Sequence, residues 1–369
     1  MRIGVDARFF GINHTGIGRY VENLIGNLAK IDKKNTYIIF GHDAIKTQLS
    51  KYPNFKFVKL STKPYSLAEQ VINPLVFYRH QLDLLHVPHF NAPLLYLKKH
   101  LLTIHDLIKH YSTGPRTSTL PWYQYFFKHW LYLLVVRVNV AKAVHIITPS
   151  FYWKKQLVKL FHLNPAKITV TYEAATSRFG GKEHPDPAIL DRFAITKPFV
   201  IYTGNLYPHK NIPFLISALE HFNHAHQHQL QLAIVSSRNH FSDQLPKSSS
   251  VKLLGKVTDA ELTNLYSQAL ALVQPSKIEG FGLLGLEAMS AGLPVISSNA
   301  TCLPEIYADA ALYFDPNDED QLIKQLEKLL ADQELKKELI DKGFTRVKQF
   351  SWYKMAKQTK TIYQLISND

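Results

Sequence analysis

Two periods alternate along this chain. Short apolar runs bounded by turn residues are followed by segments whose apolar positions recur every three or four residues. In the first half Met1–Asp6, Tyr37–Phe40, Phe55–Leu60, Leu84–Pro88, Leu101–Ile104, Val144–Ser150 and Lys167–Tyr172 read as strands. Helical spacing appears at Val21, Leu24, Ile25 and Leu28, over the aromatic-rich Trp122–Ala143, and over Phe151–Phe161 behind Ser150 as N-cap. Periodicity is lost over 173–197, where Gly180, Gly181, Pro185 and Pro187 mark a linker. In the second half Phe199–Thr203, Gln229–Ser236, Val251–Leu254, Ala269–Pro275 and Leu293–Ile296 read as strands. Ile212–Phe222, Glu261–Gln268 (capped by Thr258 or Asp259), 319–349 and Trp352–Ile366 behind Ser351 read as helices. Repeated strand–helix steps predict an α/β chain of two Rossmann-like, doubly wound domains. Their expected bounds are 1–180, joined by the last helix at 351–369, and 181–350.

Composition narrows the classes. A length of 369 residues, 46% apolar and 20% charged, suits two globular cores. No apolar run approaches the roughly 18 residues of a membrane span, and no signal peptide is visible after Met1. The single cysteine, Cys302, excludes an intrachain disulfide or a thiolate zinc cluster and fits a reducing, cytoplasmic compartment. The histidines between His221 and His228 read as surface polarity at a helix end. Charge is uneven: residues 1–180 hold 24 Lys+Arg against 8 Asp+Glu, and 181–369 hold 19 against 21. The basic N-terminal half is expected to face something anionic, an inner membrane leaflet or a lipid phosphate. No nucleic-acid module is present, so nucleic acid is not an expected partner. In Trp122–Ala143, the residues Tyr123, Phe126, Phe127, Trp130, Leu131 and Leu134 are expected in the core or at an interdomain face. An interfacial membrane helix is the alternative, because Lys128, Arg137 and Lys142 punctuate the segment.

Candidate chemistry gathers at predicted strand ends. Ser276–Ser298 carries two acids, Glu279 and Glu287, with Gly280, Phe281, Gly282, Leu283 and Gly285 between them. It reads as loop, helix N-terminus and next strand, where glycines admit a ligand to backbone N–H groups and the helix end favours an anion. The plainer reading is a Gly-rich turn with one capping and one solvated acid. Thr15–Tyr20, with Gly16, Gly18 and Arg19, reads as a Gly-rich loop after the first strand. It is not GxGxxG, and no acid follows at the dinucleotide spacing, so a dehydrogenase is not supported. His89, Asn91, His105 and Asp106 each follow a strand, at the edge where open α/β sheets bind ligands.

Taken in order, Asp6 with Gly16–Tyr20, Thr103–Asp106, Tyr202–Gly204 through Lys210-Asn211, and Glu279–Glu287 resemble the motifs of retaining glycosyltransferase family 4. Tyr65–Gln70 with His86–Asn91 also resembles the bacterial mannosyl- and rhamnosyltransferases of polysaccharide assembly. The resemblance spans nearly the whole chain. It implies the GT-B fold, two domains facing across a cleft, with the C-terminal helix returning to the N-terminal one. It implies a GDP- or UDP-linked sugar as co-substrate, held mainly by the second domain, and neither metal nor resident cofactor, with Lys210 neutralising the diphosphate. Glu279 would contact the transferred sugar and Glu287 the ribose. Gly204, Asn205 and His209 would line the donor, Gly255 and Val257 would frame the base, and Leu262 would lie beneath it. Gly16 and Gly18 would meet donor phosphate or acceptor. His105 would join Glu279 and Lys210 as the catalytic set, with Arg19, His89, Asn91 and Asp106 on the acceptor side. Asn205, where the family often has Arg, His209 before the Lys, and Leu284 for a frequent Pro are departures. The implied reaction moves a hexose, mannose-like, to a lipid-linked or oligosaccharide acceptor in lipopolysaccharide or other surface-polysaccharide synthesis. The alternatives are a soluble glucan, sucrose or sugar-phosphate synthase and a non-catalytic sugar-nucleotide binder.

Overall fold

The computed structural model describes residues 1–11, 15–175, 186–226 and 229–368. Residues 12–14 ahead of Thr15, the middle of the linker and His228 lie outside these residues. The chain divides into two compact units. Unit 1 holds Met1–His110, Pro121–Glu173 and Ser351–Asp369, and unit 2 holds Tyr111–Leu120 and Ala174–Phe350.

Unit 1 is built on seven parallel strands among the described residues: β1 (Arg2–Asp6), β2 (Thr36–Gly41), β3 (Phe55–Lys59), β4 (Leu84–Val87), β5 (His100–Thr103), β6 (His145–Thr148) and β7 (Ile168–Val170). Their order is β3-β2-β1-β4-β5-β6-β7. β1 is therefore central, with Ile3 beside both Tyr37 and Leu84. The winding reverses between β1 and β4. Both faces of such a sheet are covered, which is why β4 and β5 are continuously buried rather than alternating. The unit's helices are α1 (Thr15–Ile31), α2 (Ala44–Leu49), α3 (Leu67–Arg79), α4 (Ile108–Tyr111, reaching the unit boundary), α5 (Trp122–Lys142) and α6 (Phe151–Phe161).

Among the described residues unit 2 carries α7 (Ala188–Arg192) and six parallel strands: β8 (Phe199–Thr203), β9 (Gln231–Val235), β10 (Val251–Leu253), β11 (Leu272–Gln274), β12 (Val295–Ser298) and β13 (Ala311–Phe314). Their order is β10-β9-β8-β11-β12-β13, so this sheet reverses between β8 and β11. α8 (Ile212–Ala225), α9 (Asp259–Gln268), α10 (Leu283–Ser290), α11 (Leu303–Tyr307), α12 (Glu319–Ala331) and α13 (Gln333–Val347) complete it. The last helix, α14 (Trp352–Asn368), belongs to unit 1 and packs on α1. Lys360 Nζ donates to Ile31 O at 3.0 Å, and Trp352 lies edge-on to Tyr20.

Three sequence expectations change, and one helix, α3, was not expected. Gly16 and Gly18 do not form a loop, because α1 already begins at Thr15. Gly18 is needed for packing: a Cβ there would lie 2.0 Å from the Gly11 carbonyl oxygen. The expected helix 319–349 is two helices, since Asp332 is extended and its side chain accepts from Leu335 N, ending α12 and starting α13. α3 had no clear period because Pro74 interrupts it and Leu67, Val71 and Leu75 are exposed rather than buried. Most plainly, the aromatic face of α5 is not core. Trp122 is 67% exposed, Phe127 62% and Trp130 59%, and in this helix only Val136, Asn139 and Val140 are buried.

Candidate functional site

In an open parallel sheet the loops leaving two strands on either side of the reversal diverge and leave a crevice at their carboxyl ends. In unit 2 these loops follow β8 and β11. The first, 204–211, ends in a short 3₁₀ turn, Pro208–Lys210, and the second carries Glu279. Lys277 N donates to His209 O at 2.8 Å and ties the loops together. Across this tie, Lys210 Nζ and Glu279 Oε1 form an ion pair of 2.8 Å, each residue 7% exposed. The same oxygen accepts from Ser276 Oγ at 2.7 Å and Gln274 Nε2 at 2.9 Å. Burial alone would raise the Glu279 carboxyl, but the Lys210 ammonium and these donors outweigh it and hold the pKa below the usual range. Burial, helped by Lys210, pushes His209 down to about 4, so its imidazole is neutral at pH 7. The pair is thus one buried cation and one buried anion placed where this sheet type takes ligands.

The glycines after Glu279 have individual reasons. Gly282 has φ +106° and caps α10. A Cβ on Gly285 would lie 2.3 Å from Tyr307 Cζ, and the Gly285 N–H donates to the Tyr307 hydroxyl at 3.2 Å. That hydroxyl donates toward Gly282 O at 2.7 Å and Gln274 Oε1 at 2.6 Å. Tyr307 therefore holds the turn into α10 and also orients Gln274, which itself bonds Glu279. Gly285 serves this packing, and its N–H is not the ligand donor expected from the sequence. Phe281 points inward, edge-on to Phe350 at 5.8 Å, while Gly280 and Leu283 are half-buried. Glu287, one turn into α10, is only 2% exposed. Gly204 has φ +130°, and a Cβ there would lie 3.1 Å from Leu284 Cδ1, while the exposed Asn205 offers its carbonyl to Tyr202 OH at 2.6 Å. Gly255 (φ +76°), Val257 and Leu262 follow β10, two strands over from β8 and so about 10 Å away across the sheet. Thr258 caps α9 in a capping box with Glu261.

Unit 1 repeats the logic with different charges. After β1, Arg8 (1% exposed) forms buried ion pairs with Asp6 at 2.6 Å and with Glu69 at 2.5 Å. The other Glu69 oxygen accepts from Asn91 Nδ2 at 2.7 Å and Tyr65 N at 2.6 Å. His89 Nε2 meets Tyr65 OH at 3.0 Å, and burial lowers its pKa well below the usual value. The two acceptor-side candidates after β4, His89 and Asn91, are thus brought together by Glu69 and Tyr65. His105 belongs to a separate cluster: Nδ1 meets Glu173 at 2.8 Å, Nε2 meets Pro88 O at 3.2 Å, and Tyr20 stands edge-on at 4.7 Å. Asp106 accepts from Ile108 N at 3.0 Å, and Arg19 is half-buried on α1. Sequence reasoning assigned no role to Arg8, Glu173, Gln274 or Tyr307. An Arg two positions after a strand-end Asp is the one signal that could have pointed to Arg8.

Comparison with known proteins bears on the family and the fold. Residues 14–174 match the family described as "Glycosyltransferase Family 4", and residues 191–346 match "Glycosyl transferases group 1". The chain is 28% identical over 376 residues to the O-antigen chain mannosyltransferase B of Escherichia coli, covering 95% of this chain and 96% of that one. Among solved structures, sucrose-phosphate synthase from Thermosynechococcus elongatus superposes with a TM-score of 0.75 at 19% identity, covering all of both chains. Anabaena HepE in complex with UDP and glucose superposes with a TM-score of 0.71 at 15% identity, covering 98% of this chain and 99% of that one. With both halves matched and both sheets doubly wound, the chain belongs to the GT-B glycosyltransferases of family 4 and is similar to the O-antigen mannosyltransferases.

Proposed function

We propose that this glycosyltransferase moves a mannose-like hexose from a GDP- or UDP-sugar to a lipid-linked or oligosaccharide acceptor of a surface polysaccharide, with retention of anomeric configuration and without a metal. The buried Lys210–Glu279 pair at the reversal of the unit 2 sheet carries the reading. A diphosphate leaving group needs a fixed positive charge as its bond to the sugar breaks, and Lys210 supplies one. Glu279 is the acid for the hydroxyls of the transferred sugar and Glu287 the acid for the ribose diol. His105, held in orientation by Glu173, is a further proposed contact for the sugar. In the proposed reaction the bond from C1 to the phosphate oxygen breaks and the bond from C1 to the acceptor oxygen forms on the same face. The leaving phosphate oxygen takes the acceptor proton. The E. coli relative's mannosyltransferase name favours mannose, and the UDP in the HepE structure keeps both bases in view.

Calorimetry with GDP-mannose and UDP-glucose tests the donor site. Lys210→Ala or Glu287→Ala should weaken binding by about 1–3 kcal/mol, roughly 5- to 150-fold in Kd, through loss of a charge-assisted contact. Unchanged affinity in both variants overturns the assignment. The anomer of the product by NMR tests retention, and activity in EDTA tests metal independence. Transfer to free sugar phosphates instead of a lipid-linked acceptor would select the soluble-synthase reading. Donor binding without turnover would select the non-catalytic one.

A further inference from the structure

The exposed aromatic face of α5 has a second exposed apolar face beside it in unit 1. At 100° per residue, Trp122, Tyr123, Phe126, Phe127, Trp130 and Leu133 fall within an arc of about 140°. All six are exposed, from 37% for Leu133 to 67% for Trp122. Arg137 lies within the same arc and Lys142 at the helix end. On α3, Leu67 (86% exposed), Val71 and Leu75 recur every four residues, and Ile72 flanks them. The 90–97 segment joins the two helices. Asn139 of α5 donates to Phe90 O and Ala92 O, Gln70 of α3 accepts from Leu94 N, and this segment adds exposed Leu95 and Leu97.

Its charge points to one kind of partner. From Leu107 to Tyr172 the sequence contains no Asp or Glu, while Lys109, Lys128, Arg137, Lys142 and further lysines of unit 1 punctuate it. Lys98 and Lys99 follow exposed Leu97, and Lys98 lies over the Tyr78 ring that ends α3. A protein partner of mixed charge would leave these cations partly unmatched. A surface whose anions are dense and mobile matches them, and its hydrocarbon boundary takes Trp, Phe and Leu. No described helix is long and apolar enough to span a bilayer, so contact through these faces is contact along the surface.

We propose that the outer faces of α3 and α5, with the segment between them, form a docking surface for an anionic phospholipid bilayer. This rests on the lipid-linked reading of the acceptor and names the elements that would hold the enzyme against it. The full-length chain is tested by flotation with phosphatidylglycerol-containing vesicles and with phosphatidylcholine vesicles. Binding should be at least tenfold stronger to the anionic vesicles and should weaken with salt. On binding, tryptophan emission should shift to the blue and be quenched by brominated lipid, through exposed Trp122 and Trp130 rather than buried Trp153 and Trp352. The α5 triple change Phe126→Ser, Phe127→Ser and Trp130→Ser, and the α3 triple change Leu67→Ser, Val71→Ser and Leu75→Ser, should each lower the bound fraction at least tenfold. Both sets alter exposed side chains, so circular dichroism and nucleotide affinity should stay at wild-type values. Arg137→Glu, which leaves every apolar residue in place, should lower only the anionic-vesicle binding. Wild-type binding unaffected by either triple set overturns the proposal. So does equal binding to both vesicle types, or self-association in sedimentation that these variants abolish. Absence of vesicle binding with nucleotide affinity intact overturns the surface and leaves the transferase reading standing. Loss of nucleotide binding in Lys210→Ala is independent of either result.

Discussion

Replacing Lys210 by Met strands a buried carboxylate, and the surrounding geometry says how costly that is. Removing one partner of a buried ion pair costs about 3–5 kcal/mol, because the survivor is left uncompensated. Glu279 would keep its bonds from Ser276 at 2.7 Å and Gln274 at 2.9 Å, which puts the variant at the low end, about 3 kcal/mol. Glu279→Gln strands the ammonium instead and should cost about 4 kcal/mol. The double variant buries no charge, so its cost should fall at least about 2 kcal/mol short of the sum of the singles. Acidity gives an independent check. Without Lys210, burial dominates and lifts the Glu279 carboxyl above its ordinary 4.5, so the native state binds a proton that the unfolded state does not. Stability of Lys210→Met should therefore fall as pH rises above about 4.5, while the wild-type pair contributes most above that pH. The penalty should be small at pH 4 and full at pH 7. Equilibrium urea unfolding measures it, with a control built into the sequence. All four tryptophans, Trp122, Trp130, Trp153 and Trp352, lie in unit 1. Their fluorescence follows unit 1, and far-ultraviolet circular dichroism follows both units. The shift should appear in the dichroism transition and be absent from the fluorescence one. Additive single costs, or a penalty that does not change with pH, would refute the reasoning.

Gly285→Ala would drive a methyl group into the Tyr307 ring and should cost about 3 kcal/mol, the upper end for an added methyl, by dichroism-detected unfolding, whereas Gly26→Ala, with open space inside α1, should stabilise unit 1 by about 0.5–1 kcal/mol. Tyr307→Phe leaves Gln274 Oε1 and Gly282 O without their hydroxyl and should cost about 1–3 kcal/mol in the same assay. Burial, and then the neighbouring His105, lowers His86 to about 3, so the folded state keeps it neutral while the unfolded chain protonates near 6.5. Its contribution is complete above about pH 6.5 and is lost on acidification at up to about 1.4 kcal/mol per pH unit; His86→Asn should flatten the fluorescence-detected loss between pH 6.5 and 5.

Much of the fold was legible because a parallel sheet covered on both faces writes its strands as uninterrupted apolar runs. Leu84–Val87, Phe199–Thr203 and Val295–Ser298 are each buried along their whole length. Helices escaped notice in two ways: α2, α7 and α11 bury Ile45, Ile189 and Ile306 but span only five or six residues, too few to show a period, and α3 turns its apolar residues away from the core. α3 presents Leu67, Val71 and Leu75 outward, and Pro74 disturbs its period. α5 was found as a helix but placed wrongly, because periodicity reports that apolar residues share a face and says nothing of what covers that face. The same gap explains the glycines near Glu279. Spacing announces freedom of the backbone, but only packing shows that Gly285 makes room for Tyr307, which arrives from twenty-two positions later.

The charged residues divide along a related line. Lys210 and Glu279 were placed in one catalytic set by the family resemblance, and the structure pairs them because each follows a strand at the same edge of one sheet. Arg8 could not be paired from sequence, since one of its acids, Glu69, comes from a helix the pattern concealed. The structure makes the two sites chemically unlike despite their matching topology. Around Arg8 one cation faces two carboxylates and a Thr62 carbonyl, and every guanidinium nitrogen is turned inward. That cluster already shares its one cation between two carboxyl groups, and burial raises the Glu69 carboxyl, so it offers a phosphate no uncommitted positive charge. Around Lys210 one cation meets one carboxylate that Ser276 and Gln274 also support, so an arriving diphosphate can share the ammonium while Glu279 keeps two donors. Equivalent sheet positions therefore differ in the charge they offer: a cation already committed to two acids in unit 1, and in unit 2 one that an anion can share, as the proposed diphosphate role of Lys210 requires.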